Sequence, residues 1–209
     1  MIGRPLILTT LVVAVLAVAA LFVVPRLGGA TAEASDLNLE AQPRLGASDA
    51  PVQIVVFEDY LCPACGQFAE TVFPRLEREF VETGDAALYH KNFVVIGPES
   101  ERVAHVGECV FREDEAAFWE FKRVAYRSQE GLNERRALDL VSEYLPGVDA
   151  EAVRTCAAED LALEAVRSDV GTAQALGLRG TPSVLVDGSE VTATYAAVRT
   201  AVEAALAAR

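Results

Sequence analysis

The sequence predicts an α/β protein: a β-α-β unit and a later β-β-α unit, with an all-helical lobe inserted between them and an N-terminal transmembrane helix ahead of both. Three observations carry this prediction. Two Val- and Ile-rich runs flank an apolar stripe of period four. From about residue 99 to 176 the periodicity is helical throughout. Residues 6–24, "LILTTLVVAVLAVAALFVV", contain no charge.

The elements follow in order. At a helical rise residues 6–24 are about 28 Å long, close to the roughly 30 Å of a bilayer core. Arg4 precedes the run and favours holding that end in the cytoplasm, although Arg26 on the far side weakens the bias. Residues 30–32, "ATA", resemble a signal-peptidase site, but the run exceeds the usual signal-peptide core, so an uncleaved anchor is favoured over release near Ala32. Either outcome puts the body outside the cytoplasm, where disulfides persist. Residues 1–27 are thus the cytoplasmic stub and anchor, and 28–45, small and polar with Pro43, read as a flexible linker.

"VQIVVF" at 52–57 reads as a strand buried on both faces. Phe68, Val72, Leu76 and Phe80 make one helical stripe, kinked at Pro74 and stopped by Gly84. "ALYHKNFVVI" at 87–96 reads as the second strand, joined to the first by a right-handed crossover. Asp114, Asn133 and Asp149 are expected helix caps within the lobe. A strand at 183–186, a turn at Asp187-Gly188, a strand at 190–194 and a helix from 195 complete the order. Residues 46–97 and 177–209 then form the core, and 98–176 the insertion.

The formal charge is −13, and the first 30 residues contribute two arginines and no acids, so the acidic excess belongs to the body. Such a body repels phosphate backbones, and nucleic-acid binding is not expected. Only two lysines occur, Lys91 and Lys122.

The chemistry centres on "EDYLCPACGQF", residues 58–68. A strand leads into Cys62-Pro63-Ala64-Cys65, and a helix follows. Cys62 falls at the helix N-cap, where unpaired N–H groups and the positive end of the dipole favour a thiolate. Pro63 suits the first helical position. Cys65 lies one turn in, shielded. An exposed attacking sulfur and a buried resolving one are what disulfide exchange requires. The same spacing is half a zinc site, with His90, His105, Cys109 and Cys156 as further donors; His105 and Cys109 stand at i and i+4 on one helix face. A structural disulfide across so short a loop stabilises little. Thr181-Pro182, at the start of a strand, is where a cis-proline loop can lie beside a redox pair.

These stretches resemble the DsbA-like thiol–disulfide oxidoreductases, a branch of the thioredoxin fold. "DAPVQIVVFEDYLCPACGQF" at 49–68 looks like the family's first core strand and active-site helix, and Phe73-Pro74 like its helix kink. Trp119 looks like a family position in the helical insertion, and "GLRGTPSVLVDG" at 177–188 like the cis-proline loop and its strand. The resemblance implies a thioredoxin-like core, Cys62 as nucleophile, Cys65 as resolving thiol, and Thr181-Pro182 as the loop that docks substrate backbone. Pro63 and Ala64 then shape the site and its potential. No metal or organic cofactor is implied. Implied partners are exported cysteine-containing proteins and a membrane redox protein that restores the disulfide. Relatives often carry a glutamate six residues before the first cysteine; here that residue is Val56. Glu58 and Asp59 remain as proton-relay candidates, and by themselves both read as solvated loop charges.

Cys109 and Cys156 complete the cysteine count, and four cysteines allow three connectivities. If 62 pairs with 65, the others pair across two predicted helices, a disulfide favoured outside the cytoplasm over two buried thiols. The expected activity is oxidation of dithiols in exported proteins. A reductase or isomerase on the same fold, and a copper- or zinc-binding domain, are the alternatives.

Overall fold

A computed structural model describes residues 37–209. The expected membrane run at 6–24 and cleavage near Ala32 lie outside them. No helix among the described residues is long and apolar enough to cross a membrane.

A five-stranded sheet forms the centre, in the order β1-β3-β2-β4-β5. Its strands are β1 (Arg44–Leu45), β2 (Val52–Glu58), β3 (Ala86–Asn92), β4 (Ser183–Val186) and β5 (Ser189–Val191). β2 and β3 run parallel, with Ile54 opposite Leu88, while β4 is antiparallel to β2, with Val55 opposite Leu185. Side chains alternate across a strand, so this register sorts them onto two apolar faces. Ile54, Val56, Leu88, Val184 and Val186 join the main core, and Val55, Phe57, Ala87, Tyr89 and Leu185 join a second cluster behind the sheet. The unbroken apolar run 54–57 of β2 is the consequence.

Helix α1 (Pro63–Thr71) follows β2, and α2 (Phe73–Leu76) follows a break at Val72, two residues before Pro74. A π-helical turn, Glu77–Val81, continues it. The lobe holds α3 (Pro98–Glu113), α4 (Glu115–Arg127), α5 (Glu134–Tyr144), α6 (Ala150–Ala158) and α7 (Leu163–Ala175); α8 (Tyr195–Ala207) closes the chain. Asp114, Asn133 and Asp149 accept from the first-turn N–H groups of Ala117, Arg136 and Glu151, each at 2.9 Å. Asp187 and Gly188 both take positive φ, 44° and 78°, in the turn joining β4 to β5.

Three segments depart from expectation. The linker expected over 28–45 is packed from Leu37: Leu37 and Leu39 are buried in the second cluster, and Arg44–Leu45 pairs with β3. The Trp119 indole donates to the Arg44 carbonyl at 3.1 Å, tying this edge to the lobe. Composition alone reads as tether because the anchoring partners lie far away in sequence. β3 ends at Asn92 rather than 96. The Val95 and Ile96 N–H groups donate to the Asp59 carboxylate at 2.8 and 3.0 Å, which leaves no donors there for a sheet ladder. β5 ends at Val191 because Thr194 turns to cap α8, its hydroxyl accepting from Ala197 at 3.3 Å.

Candidate active site

The end of β2 delivers Cys62 to the N-cap of α1, with Pro63 in the first turn. The N–H groups of Cys65 and Gly66 donate to the Cys62 carbonyl at 3.0 and 3.1 Å, starting the helix. Both cysteines are thiols. The Cys62 side chain makes no capping bond to the helix; its thiol donates instead to the Thr181 carbonyl at 3.3 Å. The Thr181–Pro182 peptide bond is cis and brings that carbonyl to the sulfur across 119 residues of chain. Cys62 is only 7% exposed, less open than the sequence suggests, because this loop lies against it. Pro63 and Ala64 face solvent. Beside them Ala64, Phe68, Val72, Pro182, Ala193 and Tyr195 line a groove of about 370 Å³.

Cys65 is fully buried. Burial, and next the nearby Glu58 charge, push its thiol well above its ordinary value; the Asp59 backbone and the Thr181 side chain oppose this more weakly. A thiol so placed stays protonated.

Glu58 and Asp59 are not solvated loop charges: they are 1% and 2% exposed. Asp59 spends both oxygens on backbone, accepting from Leu61 at 2.8 Å on one and from Val95 and Ile96 on the other. Glu58 accepts from Lys122, contributed by α4, and its Oε2 lies 3.1 Å from His90 Nδ1. Burial alone raises the Glu58 pKa, but Lys122 and then His90 outweigh it and hold the carboxyl below its ordinary value. Its other oxygen, Oε1, has no hydrogen-bond partner in the protein. Val56, where relatives often place a glutamate, is buried in the apolar core. The buried acid of this chain, Glu58, stands two residues further along β2, on the same face of the strand.

The polar interior continues behind this pair. His90 Nε2 lies 3.2 Å from Asn92 Oδ1, and the Asn92 amide donates to Glu108 at 2.7 Å. Lys91 pairs with Asp169 at 2.6 Å. Both lysines of the protein are therefore buried in ion pairs. Their rarity in an Arg-rich chain was the one signal in the sequence that could have marked Lys122; His90 stood out only as a metal donor.

Cys109 and Cys156 are bonded, with an S–S distance of 2.02 Å, joining α3 to α6. The ligand pair considered for His105 and Cys109 is not formed, because the Cys109 sulfur is spent on Cys156. His105 Nε2 accepts from the Ala162 N–H at 3.2 Å.

A buried thiol behind a nearly buried one, at the head of a helix and against a cis-proline loop on a parallel-antiparallel sheet, defines a thioredoxin-fold disulfide exchanger. A family model described as Thioredoxin matches residues 38–204. The probable disulfide bond formation protein D of Bacillus anthracis is 36% identical over 167 residues, covering 78% of this chain and 77% of that one. Oxidised BdbD from Bacillus subtilis superposes with a TM-score of 0.78 at 25% identity, over 86% of this chain and 98% of that one. Chlamydia trachomatis DsbA, at 21% identity, shares the fold with a TM-score of 0.70 over 85% and 93% of the two chains. The chain belongs to the DsbA-like thiol–disulfide oxidoreductases of the thioredoxin fold. It is an enzyme of protein thiol–disulfide exchange.

Proposed function

We propose that the protein works as a dithiol oxidase on exported proteins, with Cys62 as the attacked and attacking sulfur and Cys65 as the resolving one. The observation that carries this reading is the Cys62–Cys65 pair at the head of α1, set against the Thr181–Pro182 loop.

In the oxidised enzyme a substrate thiolate attacks Cys62 Sγ. The Cys62–Cys65 bond breaks, a mixed disulfide forms, and the Cys65 sulfur leaves with the electron pair and takes up a proton. A second substrate thiolate then attacks the substrate sulfur of the mixed disulfide and releases Cys62. The substrate loses two electrons and two protons, and the enzyme is left as a dithiol. A membrane redox protein restores the disulfide. The high pKa of Cys65 favours its thiol in the reduced form. Glu58 is the better relay for that proton, since Oε1 is free to accept, whereas Asp59 is committed to three backbone donors. Pro182 and Ala64 line the groove that receives extended substrate backbone, with Thr181 beside it. The Cys109–Cys156 bond staples the lobe and takes no part in turnover. Residues 6–24 anchor the chain, with the body outside the cytoplasm.

An equilibrium titration against glutathione tests the direction. Known dithiols of this fold span about −270 mV for reducing members to about −120 mV for oxidising ones. Pro63 and the absence of any polar group at Ala64 place the expected value between the middle and the oxidising end, and a value near −270 mV sinks the oxidase. Cys62→Ser is expected to abolish turnover of a reduced, cysteine-containing substrate, and activity retained in that variant removes Cys62 from its role.

A further inference from the structure

Gln129 lies in the segment between α4 and α5, inside the helical lobe, yet its side chain ends on the active-site loop. Its amide nitrogen donates to two carbonyls, Tyr60 O and Cys62 O, both at 2.8 Å. These carbonyls bracket the turn that carries the nucleophile. The Gln129 backbone is fixed in its own turn, its N–H donating to the Tyr126 carbonyl at 3.3 Å and its carbonyl accepting from Leu132 at 3.2 Å. The amide oxygen packs over Gly66, the residue after the resolving cysteine. A Cβ on Gly66 would stand 2.6 Å from that oxygen, closer than a Cβ can approach. Gly66 has ordinary helical backbone, so it is small here because Gln129 occupies the space, not because of its φ.

We infer that Gln129 is a positioning residue for the redox centre: a clamp from the inserted lobe that sets the reactivity of Cys62 through the backbone. The inference rests on Cys62 being the attacking thiol. The Cys62 carbonyl is a negative dipole end attached to the residue that bears the reacting sulfur. Donors on that carbonyl neutralise part of its negative end. Cys65 and Gly66 supply two such donors from the helix, and Gln129 supplies the only one from outside it among the described residues. The form of Cys62 that attacks is the thiolate, and this arrangement favours its charge. In the disulfide there is no charge to favour. The clamp therefore stabilises the reduced form more than the oxidised form and makes the protein a stronger oxidant.

The experiment compares Gln129→Glu, Gln129→Ala, Gly66→Ala and the Gly66→Ala/Gln129→Ala pair. It measures the glutathione equilibrium constant, the rate of Cys62 alkylation at pH 7 and the melting temperatures of both redox forms, with Cys62→Ser as the control for the nucleophile. Gln129→Glu keeps the shape and removes both donors. Gln129→Ala and Gln129→Glu are expected to slow Cys62 alkylation and to shift the glutathione equilibrium toward the oxidised form by about two- to tenfold, the range for one neutral hydrogen bond. Gly66→Ala pushes the amide off and shifts it the same way, and in the pair the two effects fail to add, because the space that Gln129 vacates accepts the methyl. A merely structural contact would lower both melting temperatures equally and leave the equilibrium in place. An unmoved equilibrium and alkylation rate in folded Gln129→Glu and Gln129→Ala overturn the clamp, and additive effects in the pair do so as well. Activity retained in Cys62→Ser overturns the choice of nucleophile instead, so the two failures are distinguishable.

Discussion

Glu58 and Lys122 meet in the core beside the resolving thiol, each almost fully buried. A buried pair is stabilising only while both partners are present, because a lone buried charge costs several kcal/mol. Glu58→Gln or Lys122→Met alone is expected to destabilise the fold by about 3–5 kcal/mol. The double variant is expected to lose less than either single one, and urea unfolding of the wild type and the three variants measures this coupling. Glu108 behaves differently. Burial, reinforced by Asp169, pushes its carboxyl up to about 8 from an ordinary 4.5, while Asn92 and Lys91 pull the other way. Below pH 4.5 the group is protonated folded or unfolded and contributes no pH dependence. Between 4.5 and 8 the folded chain holds a proton that the unfolded chain has released, so stability falls as pH rises, and the loss is complete above 8. The slope from this group is at most about 1.4 kcal/mol per pH unit. Glu108→Gln is expected to flatten that slope, giving an unfolding midpoint above wild type at pH 8.5 and close to it at pH 4.5. A wild-type slope unchanged in the variant would show that the titration lies elsewhere.

At the scale of elements, helix starts and the β2 run were legible in the sequence because their causes are local. Asp114, Asn133 and Asp149 each cap the helix they precede. The break at Val72 follows from Pro74 two residues on. Strand ends were less legible. β3 stops at Asn92 because Asp59, just past the end of β2, captures the Val95 and Ile96 N–H groups, and Asp59 lies 36 residues from Val95, outside any window on 87–96. The bond between α3 and α6 closes a loop of 47 residues, for which chain entropy gives an upper value of about 4 kcal/mol. Replacing Cys109 and Cys156 together by Ser is expected to cost about 2–4 kcal/mol in thermal or chemical unfolding and to leave turnover per folded molecule unchanged. Selective mild reduction of the oxidised wild type should release the two thiols of 62 and 65 first. Equal release from 109 and 156 would end the staple reading.

For the whole molecule, the lobe is more than a cover. α4 supplies Lys122 to the buried acid and Trp119 to the β1 edge, and the following turn supplies Gln129 to the cysteine loop. The active site is thus built from β2, α1, the cis-proline loop and the insertion together. At its other end the chain carries the uncharged run at 6–24. The full chain is expected to sediment with membranes and to keep its N-terminal mass, whereas a version starting at Leu37 should be released with its exchange activity intact. A mature mass corresponding to cleavage near Ala32 would replace the anchor by a signal peptide.

The sequence by itself determined the elements and the reactive pair, since periodicity, caps, Cys62-x-x-Cys65 and Thr181-Pro182 depend on neighbours within a few turns of chain. Only the tertiary structure decided what surrounds the pair. It made Glu58 and Asp59 buried groups with different partners, found a use for both lysines, and packed the segment expected to be a tether. The physical reason is the same in each case. The partners that decide each group's surroundings lie far along the chain, 32 residues for Glu58 with His90 and 78 for Lys91 with Asp169.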